Sequence, residues 1–270
     1  MNSDIIERKR RGVQSYMDGM PATIEKIRYR IKPISLKGCY SNLASAHISI
    51  GFFQCFANGD VVALKQNLYT ACQLLRAAIA QDAHHEFGVG SEIFYALLSD
   101  SKEEIDVMGN LNPGYYVSAR DNPLYHYFKV HMWQLAIQGD YAALEQKIYR
   151  LGKNGRKDDR ALASKGRDFF SLLIKEDRQG LEDLIKKDAD VKSEHAFTED
   201  YLSFYAAFEA KLCWYRGIPV EIDHPLVPMD LMPIRPLADY DDVYDFLKPG
   251  WVPPQQGLMG KLSRWIGKRT

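Results

Sequence analysis

Cysteine, net charge and long apolar runs are all scarce in this 270-residue chain. The four cysteines, Cys39, Cys55, Cys72 and Cys213, are far apart, and three sit inside apolar runs. That excludes a disulfide framework and describes buried free thiols in a reducing compartment. The 35 basic and 35 acidic residues cancel. A general nucleic-acid binder needs a positive excess to displace counterions from phosphates, so no direct nucleic-acid binding is expected. No stretch approaches the roughly 18 uninterrupted apolar residues of a membrane span. The cluster Arg8, Lys9, Arg10 and Arg11 runs into GVQSYMDGM rather than an apolar segment, so it does not read as a secretory leader. The expected location is the cytoplasm, away from membrane.

Motifs of catalysis are missing too. There is no HExxH, no CxxC, no G-x-S-x-G turn and no phosphate-cradling glycine loop. His84, His85 and Glu86 are adjacent and so face different sides of a helix, while His126 and His131 are five apart. Neither spacing converges on a metal. Gly88-Val89-Gly90 lacks the downstream glycine and the preceding strand of a nucleotide site. Cys213 and His224 are a conceivable nucleophile pair, but Cys213 lies beside Trp214 in an apolar helix, where packing is the simpler role. The sequence therefore predicts no catalytic residue, no metal and no cofactor.

What is present is helical periodicity. Over residues 61–79, Leu64, Leu68, Ala71, Cys72, Leu75 and Ile79 form one stripe at steps of three and four. Residues 141–151 repeat this through Leu144, Ile148 and Leu151, and residues 181–185 through Leu181, Leu184 and Ile185. The one run with β-branched alternation, residues 218–222, lies beside prolines and reads as an extended connection. Four turn signals recur about every forty residues: Asn58-Gly59-Asp60, Leu98-Ser99-Asp100, Gln138-Gly139-Asp140 and Lys175-Glu176-Asp177. Aromatics precede each of them: Phe52, Phe53 and Phe56, then Phe94 and Tyr95, Trp133, and Phe169 with Phe170. Leu64, Leu144 and Leu181 sit four past their aspartates, where the second turn instead has Glu104 followed by Ile105. The glycine or polar residue ends one helix and the aspartate caps the next.

These features predict an all-α fold of stacked helical hairpins forming a compact array, as a single domain over 1–270. Its sub-regions are 1–109, 124–217 and a proline-rich tail, 218–270, that wraps the helical body. The segment 110–123 divides the first two, and 152–164 reads as a polar loop. Eight prolines after Gly217 forbid long helices in the tail, leaving one short helix at 239–247 and a small basic amphipathic helix at 257–268.

Charge is unevenly distributed. Residues 190–245 hold twelve acids against four bases, the first 37 residues nine bases against four acids, and the last 25 five bases and no acid. One reading is solvated surface balanced by the basic ends. The other is an acidic face that steers a basic partner and fixes its register. The residues proposed for that face are Glu199, Asp200, Asp239, Tyr240, Asp241, Asp242, Tyr244 and Asp245, with Tyr201 and Tyr205 as further aromatic anchors.

The order of features between residues 125 and 235 resembles the immunity protein 49 family of bacterial polymorphic toxin systems. The shared features are the aromatic helix within 167–184, the Ala-rich helix YLSFYAAFEAKLCWYR and the turn Arg216-Gly217-Ile218-Pro219-Val220. The chain is similar as well to PoNi-type immunity proteins, through Phe208-Glu209-Ala210 and the element DHPLVPMDL at 223–231. Both resemblances imply a helical cytoplasmic protein that occludes the active site or substrate path of a cognate toxin domain; for the PoNi type, that toxin is a DNase. The alternative from the residues alone is a helical-repeat adaptor for a multi-protein assembly.

Overall fold

The computed structural model describes residues 3–82, 87, 90–191 and 197–254, and among them there are twelve α-helices, two 3-10 turns and no strand. Helix α1, Ser3–Tyr29, lies along α2, Leu36–Asn58, which forms a close hairpin with α3, Val61–Ala80. At their crossing a Cβ on Gly51 would stand 3.1 Å from Asn67 Cβ, so the missing side chain sets how closely the helices approach. Helices α4, Ser91–Ser99, and α5, Lys102–Asn110, continue from α3. After the short α6, Gly114–Ala119, come α7, His126–Gln138, and α8, Tyr141–Asn154. Short helices α9, Lys157–Ala163, and α10, Phe169–Ile174, lead to α11, Arg178–Ala189, and then α12, Phe204–Tyr215, which packs on α11 and α4. The buried apolar side chains form one contiguous cluster.

Three of the four turn signals work as their chemistry dictates. Gly59 and Gly139 take left-handed φ of 73° and 74° behind α2 and α7, and Asp60 and Asp140 then accept from the third residue on, Ala63 N–H at 2.8 Å and Ala143 N–H at 3.0 Å. Asp177 does the same with Gly180 N–H at 3.0 Å. Leu64, Leu144 and Leu181 are fully buried. The second turn departs. Here Ser101 is the cap, accepting from Glu104 N–H at 3.4 Å, and Asp100 adopts a left-handed φ of 58° that turns its carboxylate into the protein. Ser101 takes over the capping task because Ser-x-x-Glu is itself a capping spacing.

Two local expectations are corrected, and a third segment gains a helix. Residues 152–164 are not a loop, since α9 occupies most of them, with Asp158 and Asp159 in its first turn favouring the helix dipole. Gly152 is a contact point inside α8, where an added Cβ would meet Ser164 N at 3.3 Å. The divider 110–123 contains α6, whose Tyr116 is fully buried and donates its hydroxyl to Gln134. Residues 239–247 form no α-helix, only a 3-10 turn at Asp245–Leu247. The Gln66 side chain takes both backbone groups of Asp241, donating to its carbonyl at 3.0 Å and accepting from its N–H at 2.9 Å. An α-helix would need those groups for its own ladder. The segment 257–268 and His84-His85-Glu86 lie outside the described residues. No described helix is long and apolar enough to cross a membrane.

Candidate functional site

The residues proposed for one acidic face occupy two separate places. Asp200 sits 2.7 Å from both Arg8 and Lys9 near the start of α1, whereas Asp245 pairs with Arg28 at 2.9 Å near its end. At 1.5 Å rise per residue those two anchor points are roughly 30 Å apart along the helix. Glu199 belongs to the first group, and Asp239, Asp241 and Asp242 to the second. Asp242 accepts from Tyr69 at 3.0 Å and Gln73 at 2.9 Å, which holds its carboxyl below the usual range. Glu199, Asp239 and Asp241 are exposed, and no ion pair joins them to a cation among the described residues.

The tyrosines divide differently from expectation. Tyr244 is 3% exposed and Tyr201 is 6% exposed, so neither presents a surface for a partner. Tyr201 stacks on Phe56 with centroids 5.0 Å apart, and Lys9 lies over its ring. Tyr244 closes a chain of bonds into α2 and α3. Asn67 donates to Ala63 carbonyl at 2.8 Å, which orients its own carbonyl oxygen toward His47 Nδ1, also at 2.8 Å. Burial holds His47 below its usual range and hence neutral, so Nδ1 donates to Asn67 and Nε2 accepts from Tyr244 at 2.8 Å. Tyr240, half-buried, lies against Tyr69 and donates to Ser99 carbonyl at 2.6 Å. These tyrosines hold the tail down. Tyr205, at 45% exposed, is the one of the four that faces outward.

The tail's course is fixed by buried charge. Asp100 is met by Lys211 at 2.6 Å and Lys65 at 2.8 Å. Both ammonium groups then donate onward to the tail, Lys65 to Arg235 carbonyl at 2.5 Å and Lys211 to the carbonyls of Leu231 at 2.8 Å and Pro233 at 3.3 Å. The Arg235 N–H closes the set on Asp100 at 3.2 Å. Burial lowers Lys211 to about 8 against the pull of Asp100. Every charged group here has an opposite charge and a hydrogen bond, the condition under which buried ions are tolerated.

Two residues earlier on α12, Glu209 is in the opposite situation. It is 9% exposed, and its Oε2 has no hydrogen-bond partner. Burial, reinforced by Asp188, raises its carboxyl to about 8. Glu209 lines a pocket of about 800 Å³ between α7, α8, α9, α10, α11 and α12, whose walls include Trp133, Phe170 and Tyr205. Trp133 is 4% exposed, stacks on Tyr205 with centroids 6.0 Å apart, and has an indole N–H without an acceptor. Its ring presses on Gly90, where a Cβ would come within 2.8 Å and where φ is 90°, so only glycine fits. Asp188 is raised by burial, and Asp168 is engaged in capping α10. Lys129 is tied to Asp159 at 2.6 Å. No group of three or more His, Cys, Asp or Glu residues arranged for a metal occurs among the described residues.

No family model matches the chain, and neither a curated protein nor a solved structure matches it. The pocket is not legible in the sequence because its walls come from six helices, with Leu151 of α8 among them. One signal was present nonetheless. Residues 204–213 are apolar on every side, which marks a buried helix, yet they carry Glu209 and Lys211.

Proposed function

We propose that the protein binds and neutralises a toxin domain with a basic surface, as the immunity proteins it resembles do. The observation that supports this reading is a set of exposed carboxylates, Asp239 and Asp241 beside Asp242, carried on a tail locked in one course. Tyr240, Tyr244 and the Asp100 cluster do the locking. Acids displayed on a rigid frame meet a cationic partner without a further ordering cost, and they speed its approach. Glu199, beside the Asp200 anchor near the start of α1, lies too far from that patch to share it and belongs to a separate edge.

The test is co-expression with the reading frame adjacent to this gene, scored by growth and then by co-purification. Rescue from toxicity together with a stable complex is the expected result. A harmless neighbour that does not bind overturns the reading and favours the helical-repeat adaptor. Within a complex, Asp239→Asn with Asp241→Asn should slow association about tenfold at low salt and flatten its salt dependence. These two substitutions are cleaner than any at Asp242 or Asp245, which hold internal partners.

A further inference from the structure

A carboxyl buried without a partner is costly to a protein unless something else completes it. Glu209 is such a group, and its surroundings narrow what the missing piece is. Lys129, the cation whose charge acts on it, is already paired with Asp159 at 2.6 Å. The other carboxyls at the pocket, Asp168 and Asp188, add negative potential rather than relieve it. The walls include the rings of Trp133 and Tyr205, and the faces of indole and phenol rings carry partial negative charge that attracts cations. The volume, about 800 Å³, lies in the range of pockets that enclose a ligand and exceeds what a single water needs. Three of its lining residues, Tyr205, Leu162 and Val191, are exposed, so the pocket reaches the surface.

We propose that this pocket binds an organic cation, a guanidinium or primary ammonium group, with the Glu209 carboxylate as counter-ion and the rings of Trp133 and Tyr205 as walls. The cation is either a free small molecule or the tip of an arginine or lysine side chain. The idle indole N–H of Trp133 favours a ligand that also carries an acceptor, as a peptide arginine does through its backbone carbonyl. This site is separate from the tail carboxylates and does not depend on the toxin reading.

Binding has a built-in pH dependence. Burial raises the Glu209 carboxyl to about 8, so a cation bound beside it competes with the proton. Other charged or titratable groups face it from each packed element: His126 and Lys129 on α7, Asp159 on α9, Asp168 heading α10, Asp188 on α11 and Tyr205 on α12. Comparison with a Glu209 variant separates its share from theirs.

The experiment is calorimetric titration of the whole chain with butylguanidinium, butylammonium, an end-blocked alanyl-arginyl-alanine peptide and, as the neutral isostere, butylurea. Wild type is run beside Glu209→Gln, which keeps the shape of the protonated acid, and Tyr205→Ala, which alters an exposed side chain; circular dichroism verifies that both fold. The expected result is binding of at least one cation, weakened about tenfold or more in Glu209→Gln and less in Tyr205→Ala. Affinity in wild type should rise between pH 6 and pH 8, with a flatter profile in Glu209→Gln. Binding of the two alkyl cations identifies a free organic cation as sufficient; binding of the peptide alone identifies a side chain in its peptide context. The proposal is overturned if no cation binds at millimolar concentration, if butylurea binds equally well, or if Glu209→Gln leaves cation affinity unchanged.

Discussion

Lys211 and Glu209 stand two residues apart on α12, both almost wholly removed from water, and the protein treats them in opposite ways. Lys211 is surrounded by an aspartate and two carbonyls, so its charge serves to bind the tail to the helical body. Glu209 faces a pocket and has been left with an idle oxygen. The difference separates two uses of buried charge. Where ions are completed by the chain itself, they specify its course. Where one is left incomplete, the chain forgoes stability for a group available to something else.

Breaking the completed side should have the largest effect. Asp100→Ala leaves Lys65 and Lys211 buried without their counter-ion and is expected to cost about 3–5 kcal/mol, read from denaturant unfolding. A loss below about 1 kcal/mol would mean that the cluster contributes little beyond packing.

Changing the incomplete side should do the reverse. Glu209 and Glu104 both hold their protons more tightly folded than unfolded, being raised to about 8 and about 7. Folding therefore takes up protons above the ordinary carboxyl range near 4.5, and their stabilising contribution is lost as pH rises through the folded values. Glu209→Gln removes one of the two. It should be more stable than wild type by on the order of 2–4 kcal/mol at pH 8, and the gap should close near pH 4.5. A substitution that stabilises while abolishing cation binding is the signature of a residue kept for function.

Smaller effects sharpen the comparison by touching the tail anchors and the turns. Tyr244→Phe removes the hydroxyl that His47 accepts from and should cost about 1 kcal/mol in thermal unfolding. Asp177→Ala removes an exposed helix cap and should cost about 1 kcal/mol or slightly less. If Tyr244→Phe were neutral, the tail would be held by its remaining contacts, the Asp100 cluster and the Tyr240, Asp241 and Asp242 bonds.

The sequence made the helices legible because their signals are local. Asp60, Asp140 and Asp177 announce caps, and Leu64, Leu144 and Leu181 mark the buried stripe that follows. Asp100 broke the pattern because Ser101 competes for the same task, and the freed carboxylate then found lysines on α3 and α12 that no local pattern connects to it. The tail helix at 239–247 was mispredicted for a similar reason, since Gln66 of α3 occupies the backbone of Asp241. The acidic segment read as one face because linear charge density does not reveal which acids have partners. Arg8, Lys9 and Arg28, distant in sequence, neutralise Asp200 and Asp245 at opposite ends of α1. Glu209 was visible as a charge in an apolar helix. That it faces a pocket with aromatic walls depends on the packing of five other helices.

Glu209 is a buried carboxyl whose Oε2 has no hydrogen-bond partner, and a bound cation would complete it. The most direct measurement is its side-chain carboxyl 13C shift followed through a pH titration, with and without butylguanidinium. The account predicts a midpoint well above the ordinary glutamate value, near 8, that moves acid-ward when the cation is present. A midpoint near 4.5 in the free protein would contradict it.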